Sequence, residues 1–307
     1  MNPLPFWVTL DDWRPGRGVA SFVEALNPYG VILFARHLVE VNQIKELCQC
    51  LHESGNGWTP IVAVDQEGGR VSRVSTLGFN FPGASTFRGD VEGIESVAFE
   101  MGDLLAELGF DVDFAPVADL GPAIPGTGLE ERLYGEEESV VTSACAAFLR
   151  GLARAGVAGC LKHFPGLGGS SVDSHRSLPR IEGSAEERAA HLIPYNELAA
   201  FAPYVMVSHA SYEAYGDDEP ATLNPAVYEI LRETGFKGLA VTDDLSMGAL
   251  SESGSLTELV GSSLRAGADV ALWVSKEGES LETADELSGT PVVVEAAARL
   301  CQSMGGG

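Results

Sequence analysis

The chain has 307 residues, 45% of them hydrophobic, and a formal net charge of −25 from 44 acidic against 19 basic side chains. That balance excludes nucleic acid and anionic membrane as partners, because phosphate-rich surfaces are bound through clustered Lys and Arg. No apolar run approaches the ~18 residues of a membrane span, and the opening MNPLPFWVTLDDW lacks the basic and long apolar regions of a signal peptide, so the expected location is cytoplasmic.

Short apolar, β-rich runs recur at Trp7–Leu10, Val31–Phe34, Ile61–Val64, Val112–Ala115, Ala158–Leu161, Tyr204–Val207, Leu239–Thr242 and Val270–Val274. Near-continuous apolar runs of this length suit parallel strands buried on both faces. Helical spacing lies between them. One helix is predicted from Ile94 to Leu108, ended by Gly109, and a second from Ser139 to Ala155, stopping at Gly156. A third covers Ala185 to Ala200, and a fourth opens after Asn224 and Pro225, an N-cap followed by proline at the first helical position. Strands alternating with helices imply βαβ units and an α/β fold. Eight of them predict closure into a single (β/α)8 TIM barrel over 1–307, with an open doubly wound sheet as the alternative. No Gly-rich dinucleotide fingerprint follows an early strand. Cys48, Cys50, Cys145, Cys160 and Cys301 form no paired or zinc-like pattern and are expected to be reduced thiols.

In such barrels chemistry sits at the C-terminal ends of the strands. The third predicted strand ends in Asp65, the fourth leads to Asp119, the fifth gives Lys162 and His163, the sixth His209, and the seventh Asp243 and Asp244. Charged or imidazole residues at five consecutive strand ends point to a site. The loop after the fifth strand, KHFPGLGGSSVDSHRSLP, is rich in Gly and Ser and carries Asp173 and His175 two apart, a spacing at which a carboxylate can orient an acid–base imidazole. Asp65, His163, His209 and Asp243 could instead ring a metal in a metal-dependent hydrolase. However, the first strands carry no H-x-H and Lys162 would sit beside the ion, so no metal or cofactor is expected.

VDQEGGRV, DFAPVADL, KHFPGLG followed by DSH, and VTDDLSM, in this order, resemble the bacterial β-N-acetylglucosaminidases (β-N-acetylhexosaminidases) of glycoside hydrolase family 3, enzymes of peptidoglycan recycling. The family signature KH(F/I)PG(H/L)G, four residues, D(S/T)H runs from Lys162 to His175 without a gap. PATLNP at 220–225 and RAGADVALWV at 265–274 also look like the family. The resemblance implies a retaining mechanism with a covalent glycosyl-enzyme intermediate. By match to the motifs, Asp243 is the nucleophile, His175 the general acid/base and Asp173 its partner. Asp65, Lys162 and His163 contact the sugar, with Arg132 of ERLYG as a looser match. His209, at its strand end, joins this substrate-binding set.

The implied substrate is a terminal β-linked N-acetylglucosamine on a muropeptide-like or chitooligosaccharide aglycone, and the implied state is a monomer. A histidine acid/base also leaves phosphorolysis open, because it repels an incoming phosphate less than a carboxylate would. A β-glucosidase and a non-catalytic sugar-binding barrel are the remaining alternatives. The sequence departs from the family at Leu167, at Gly169-Ser170, at Arg36-His37 (usually Arg-Asn) and around ERLYG.

Overall fold

The structure, a computed structural model, describes residues 2–170, 172–173 and 177–304. Eight parallel strands run around a barrel: β1 (Leu4–Val8), β2 (Pro28–Leu33), β3 (Ile61–Val64), β4 (Val112–Asp113), β5 (Ala158–Phe164), β7 (Tyr204–Val207), β10 (Leu239–Thr242) and β11 (Ala271–Leu272). They pair in the order β10-β7-β5-β4-β3-β2-β1-β11. A parallel bridge between Val241 and Val270 closes the ring. Each of the eight predicted runs overlaps one of these strands.

The outer ring consists of α1 (Arg17–Leu26), α2 (Val41–Glu53), α3 (Val91–Leu108), α4 (Glu138–Arg154), α5 (Ala185–Leu198), α6 (Pro225–Glu233), α7 (Leu256–Ala266), α8 (Glu277–Leu287) and α9 (Pro291–Met304). The punctuation read from the sequence has its expected geometry. Gly109 ends α3 in the left-handed region, and the Asn224 side chain accepts from Ala226 N at the start of α6. Three short strands escaped the sequence reading: β6 (Arg180–Ile181) beside β8 (Ser211–Tyr212), which pairs antiparallel with β9 (Asp217–Pro220).

The side-chain period of two divides the apolar residues into two cores. Phe6, Val8, Val31, Leu33, Val62, Val64, Val205 and Val207 face the helices. Trp7, Ile32, Ala63, Phe114, Cys160, Met206, Val241 and Leu272 fill the barrel. Trp7 packs edge-on against Phe114 and Tyr204, with ring centroids 4.8 and 5.6 Å apart. Gly30 makes this possible, since a Cβ there would lie 2.6 Å from Ile61 O and 2.8 Å from the Trp7 indole. The filled interior leaves the mouth of the barrel for chemistry. All five cysteines are unpaired. Among the described residues no helix is long and apolar enough to cross a membrane.

Candidate active site

The C-terminal ends of β3, β4, β5 and β10 surround a cavity of about 240 Å³ walled by Asp65, Glu67, Arg73, Arg132, Lys162, His163, Asp243 and Asp244. Phe34, Phe114, Met206, Met247 and Val274 supply its apolar surface.

The turn after β3 is fastened from within. Gln66 is fully buried; its backbone N–H donates to Asp113, and its side-chain oxygen accepts from Arg73 N and Val74 N at 2.8 and 3.2 Å. Gly68 lets this turn meet the neighbouring loop, because a Cβ there would lie 2.2 Å from Pro82 O. Asp65 and Glu67 are thereby held on either side of Gln66, both facing the cavity.

On β5, the pairing with β7 shifts register between Lys162 and Phe164. Such an irregularity re-aims a side chain. Lys162 keeps the inward sense of Cys160, Phe164 packs outward, and His163 between them is turned to the cavity as well.

These groups form one charged network. Lys162 Nζ donates to Asp65 Oδ1 at 2.9 Å and to Glu67 Oε1 at 2.7 Å. Arg132 grips both Glu67 oxygens, through Nε at 2.8 Å and Nη2 at 2.9 Å. Arg73 reaches to 3.6 Å from Asp65, and its guanidinium lies over the Phe34 ring. Burial alone would raise Glu67, but Arg132 and Lys162 hold it well below the usual carboxylate range. Burial likewise pulls Lys162 towards neutrality, and Asp65 and Glu67 overcome it, so the ammonium is kept above the ordinary lysine value. Asp119 is fully buried and accepts from His163 Nδ1 at 2.7 Å, His163 N at 3.2 Å and Leu167 N at 2.6 Å. Despite burial, the facing imidazole and these N–H groups keep its carboxyl low. His163 Nδ1 is engaged by Asp119, which leaves Nε2 towards the cavity, 3.5 Å from Arg132 Nη2.

Asp243 accepts from Asp244 N at 2.8 Å on Oδ1 and donates its own backbone N–H to Val207 O. Asp244 Oδ1 takes the N–H groups of Ser246 and Val274 and the Ser246 hydroxyl. Burial, with the adjacent Asp243 charge, raises the Asp244 carboxyl, against the pull of the Ser246 hydrogen bonds.

Asp65, Arg132, Lys162, His163 and Asp243 therefore converge on one cavity, as the motifs imply. His209 is differently placed. It is fully buried and is held by Thr222 Oγ1 at Nδ1 (2.9 Å) and Asp244 O at Nε2 (2.7 Å), so it is set behind the wall with no ring nitrogen left for a substrate. Asp173 is half-buried, near Gly128. His175 lies outside the described residues. Glu67, Arg73 and the orienting role of Asp119 were missed. Glu67 reads as part of a Gly-Gly turn, although its place two residues after Asp65 would have signalled it.

Of the residues that a metal site would use, His209 is set behind the wall with both ring nitrogens engaged. Among the described residues no group of three or more His, Cys, Asp or Glu side chains could hold an ion.

Residues 9–300 match the Glycosyl hydrolase family 3 N terminal domain. Beta-hexosaminidase LpqI of Mycobacterium tuberculosis is 38% identical over 234 residues, 72% of this chain and 60% of that protein, so the match leaves about two fifths of that relative uncovered. A glycosyl hydrolase of the GH3 family from Mycobacterium smegmatis superposes with a TM-score of 0.87 at 31% identity, over 98% of this chain and 94% of that one. NagZ from Neisseria gonorrhoeae, solved in complex with N-trifluoroacetyl-D-glucosamine, gives 0.84 at 27% identity, over 99% and 90%. With this match over nearly its whole length, the chain belongs to glycosyl hydrolase family 3.

Proposed function

We propose that this chain is a retaining exo-β-N-acetylglucosaminidase (β-N-acetylhexosaminidase) that hydrolyses terminal β-linked N-acetylglucosamine from muropeptide-like or chitooligosaccharide substrates. The observation that carries the reading is the ring of fixed donors and acceptors, Asp65, Glu67, Arg132, Lys162 and His163, in a cavity that also holds Asp243. Sugar hydroxyls both donate and accept, and a mixed ring of buried charges satisfies them in a fixed orientation. At about 240 Å³ the cavity is below the ~300–1,000 Å³ of drug-sized pockets, which suits one terminal sugar. A hexosamine substrate is supported by the mycobacterial relative's name, and the N-acyl group by the N-trifluoroacetyl-D-glucosamine in the gonococcal structure.

In this reading the Asp243 carboxylate attacks the anomeric carbon. The bond to the leaving oxygen breaks as His175 protonates that oxygen, with Asp173 orienting the imidazole. A glycosyl ester of Asp243 remains. His175 then takes a proton from water, whose oxygen attacks the same carbon and releases Asp243. Asp65, Arg132, Lys162 and His163 hold the sugar. The chain works as a single barrel domain, a cytoplasmic monomer without metal or cofactor.

The test is turnover of 4-nitrophenyl N-acetyl-β-D-glucosaminide beside the β-glucoside, with and without phosphate. Only the N-acetyl substrate should turn over, giving free sugar. Asp243→Ala should abolish turnover, and His175→Ala should lower kcat by about 10²–10⁴-fold. Wild-type rates in Asp243→Ala would overturn the nucleophile assignment, and a glycosyl phosphate product would replace hydrolysis by phosphorolysis.

A further inference from the structure

The imidazole at the end of β7 has a different task from the one its position in the sequence suggests. His209 Nε2 meets Asp244 O at 2.7 Å, and a carbonyl oxygen only accepts, so Nε2 carries a proton and donates it. On the other side Nδ1 meets the Thr222 hydroxyl at 2.9 Å. Thr222 is itself fully buried, and its N–H donates to Ser208 O, which ties this short helix (Ala221–Leu223) back to the loop carrying His209.

Asp244 is the residue through which this pair can act on the site. Its N–H donates to Asp243 Oδ1 at 2.8 Å. Leu245 N donates to Leu272 O at 2.9 Å and Val274 N to Asp244 Oδ1 at 2.9 Å, so the turn is fastened on the β11 side. Met247 N also donates to Asp244 O, from within the turn. The His209 bond to Asp244 O fastens the turn from the β7 side.

We infer that His209, backed by Thr222, is a positioning residue that holds the Asp244 backbone so that its N–H fixes the Asp243 carboxylate for attack. The inference rests on Asp243 being the nucleophile. A carboxylate free to rotate by a fraction of an ångström loses its near-attack geometry, and a misplacement of about 1 Å costs up to about 10²-fold in rate.

Two nearly isosteric variants separate this role from packing. In His209→Gln the amide nitrogen replaces Nε2, keeping a donor towards Asp244 O. In His209→Asn the amide replaces Nδ1, keeping the Thr222 contact and losing the donor. Steady-state kinetics on 4-nitrophenyl N-acetyl-β-D-glucosaminide, the burst of 4-nitrophenolate release and Tm are measured for both, beside Asp243→Ala. His209→Asn is expected to lower kcat and the burst rate roughly tenfold or more with KM within about twofold, and His209→Gln to stay within about threefold of the wild type. Equal rates in both variants and the wild type would overturn the proposal. So would equal losses tracking a lowered Tm, which assign His209 to the fold alone, or a rise in KM at constant kcat, which assigns it to the substrate. Activity surviving in Asp243→Ala would sink the nucleophile assignment instead, and the two failures are thus told apart.

Discussion

Glu67 serves two cations at once: the buried Lys162 takes one of its oxygens at 2.7 Å and the half-buried Arg132 grips both. A buried ion pair adds little net stability, but removing one partner strands the other charge and costs about 3–5 kcal/mol. Glu67→Gln keeps the shape and removes the charge. Lys162 is left with Asp65, and Arg132 faces an amide whose N–H₂ repels it. The variant should unfold at lower denaturant with an unchanged slope, and its affinity for N-acetylglucosamine should fall as Lys162 and Arg132 lose their fixed positions. Wild-type unfolding and binding would mean that Asp65 alone neutralises the ring. Asp113, below, shows the opposite electrostatics. Among the described residues one of its oxygens has no hydrogen-bond partner, and burial raises its carboxyl well above the usual carboxylate value.

At the scale of elements, the barrel was legible because strands buried on both faces leave near-continuous apolar runs, and because Gly109 and the Asn224-Pro225 pair mark helix ends that local chemistry alone decides. β6 and β8 were not legible, since these two-residue strands, unlike β4 and β11, do not sit in an apolar run. The site was legible where motif and strand end coincide, at Asp65, Lys162 and Asp243. It was illegible where side-chain direction decides. His163 lies within β5, where the register shift turns it to the cavity, whereas His209 lies beyond β7, where Thr222 and Asp244 take both its ring nitrogens. The loop bearing Asp173 also depends on a distant element. Arg188 of α5 donates to Gly168 O at 3.0 Å and Gly166 O at 2.7 Å, and the Tyr212 hydroxyl donates to Gly166 O. Arg188→Met should loosen the base of this loop and impair proton delivery to the leaving group. Its rate should fall more on a 4-methoxyphenyl than on a 2,4-dinitrophenyl glycoside, which leaves without help. Equal losses on both would place Arg188 outside acid catalysis.

For the molecule as a whole, acid stability is set by groups far from one another. His37 accepts from Phe34 N at 2.9 Å and meets Leu10 O at 3.0 Å, tying the end of β2 to the loop after β1. Burial and the neighbouring Arg36 charge lower it to about 4. His191, packed against Gly166, is lowered to about 4 by burial and by Arg188. In the unfolded chain both return to about 6.5. As pH falls from about 6.5 to about 4, the unfolded chain therefore takes up protons that the folded one refuses, and the fold loses stability across that window. Glu67 and Asp119 act lower down. Their depressed values add stability above the ordinary carboxylate pKa that is lost as pH falls below it. His37→Asn separates the two windows, because asparagine can still accept from Phe34 N but does not titrate. Urea unfolding at pH 7, 6 and 5 should show a shallower loss of stability in the variant, close to one proton fewer taken up on unfolding, while its further decline below pH 4 stays as in the wild type. An unchanged slope between pH 7 and 5 would mean that His37 takes its proton in the fold, and that the Arg36 charge beside it does not govern the acid limb.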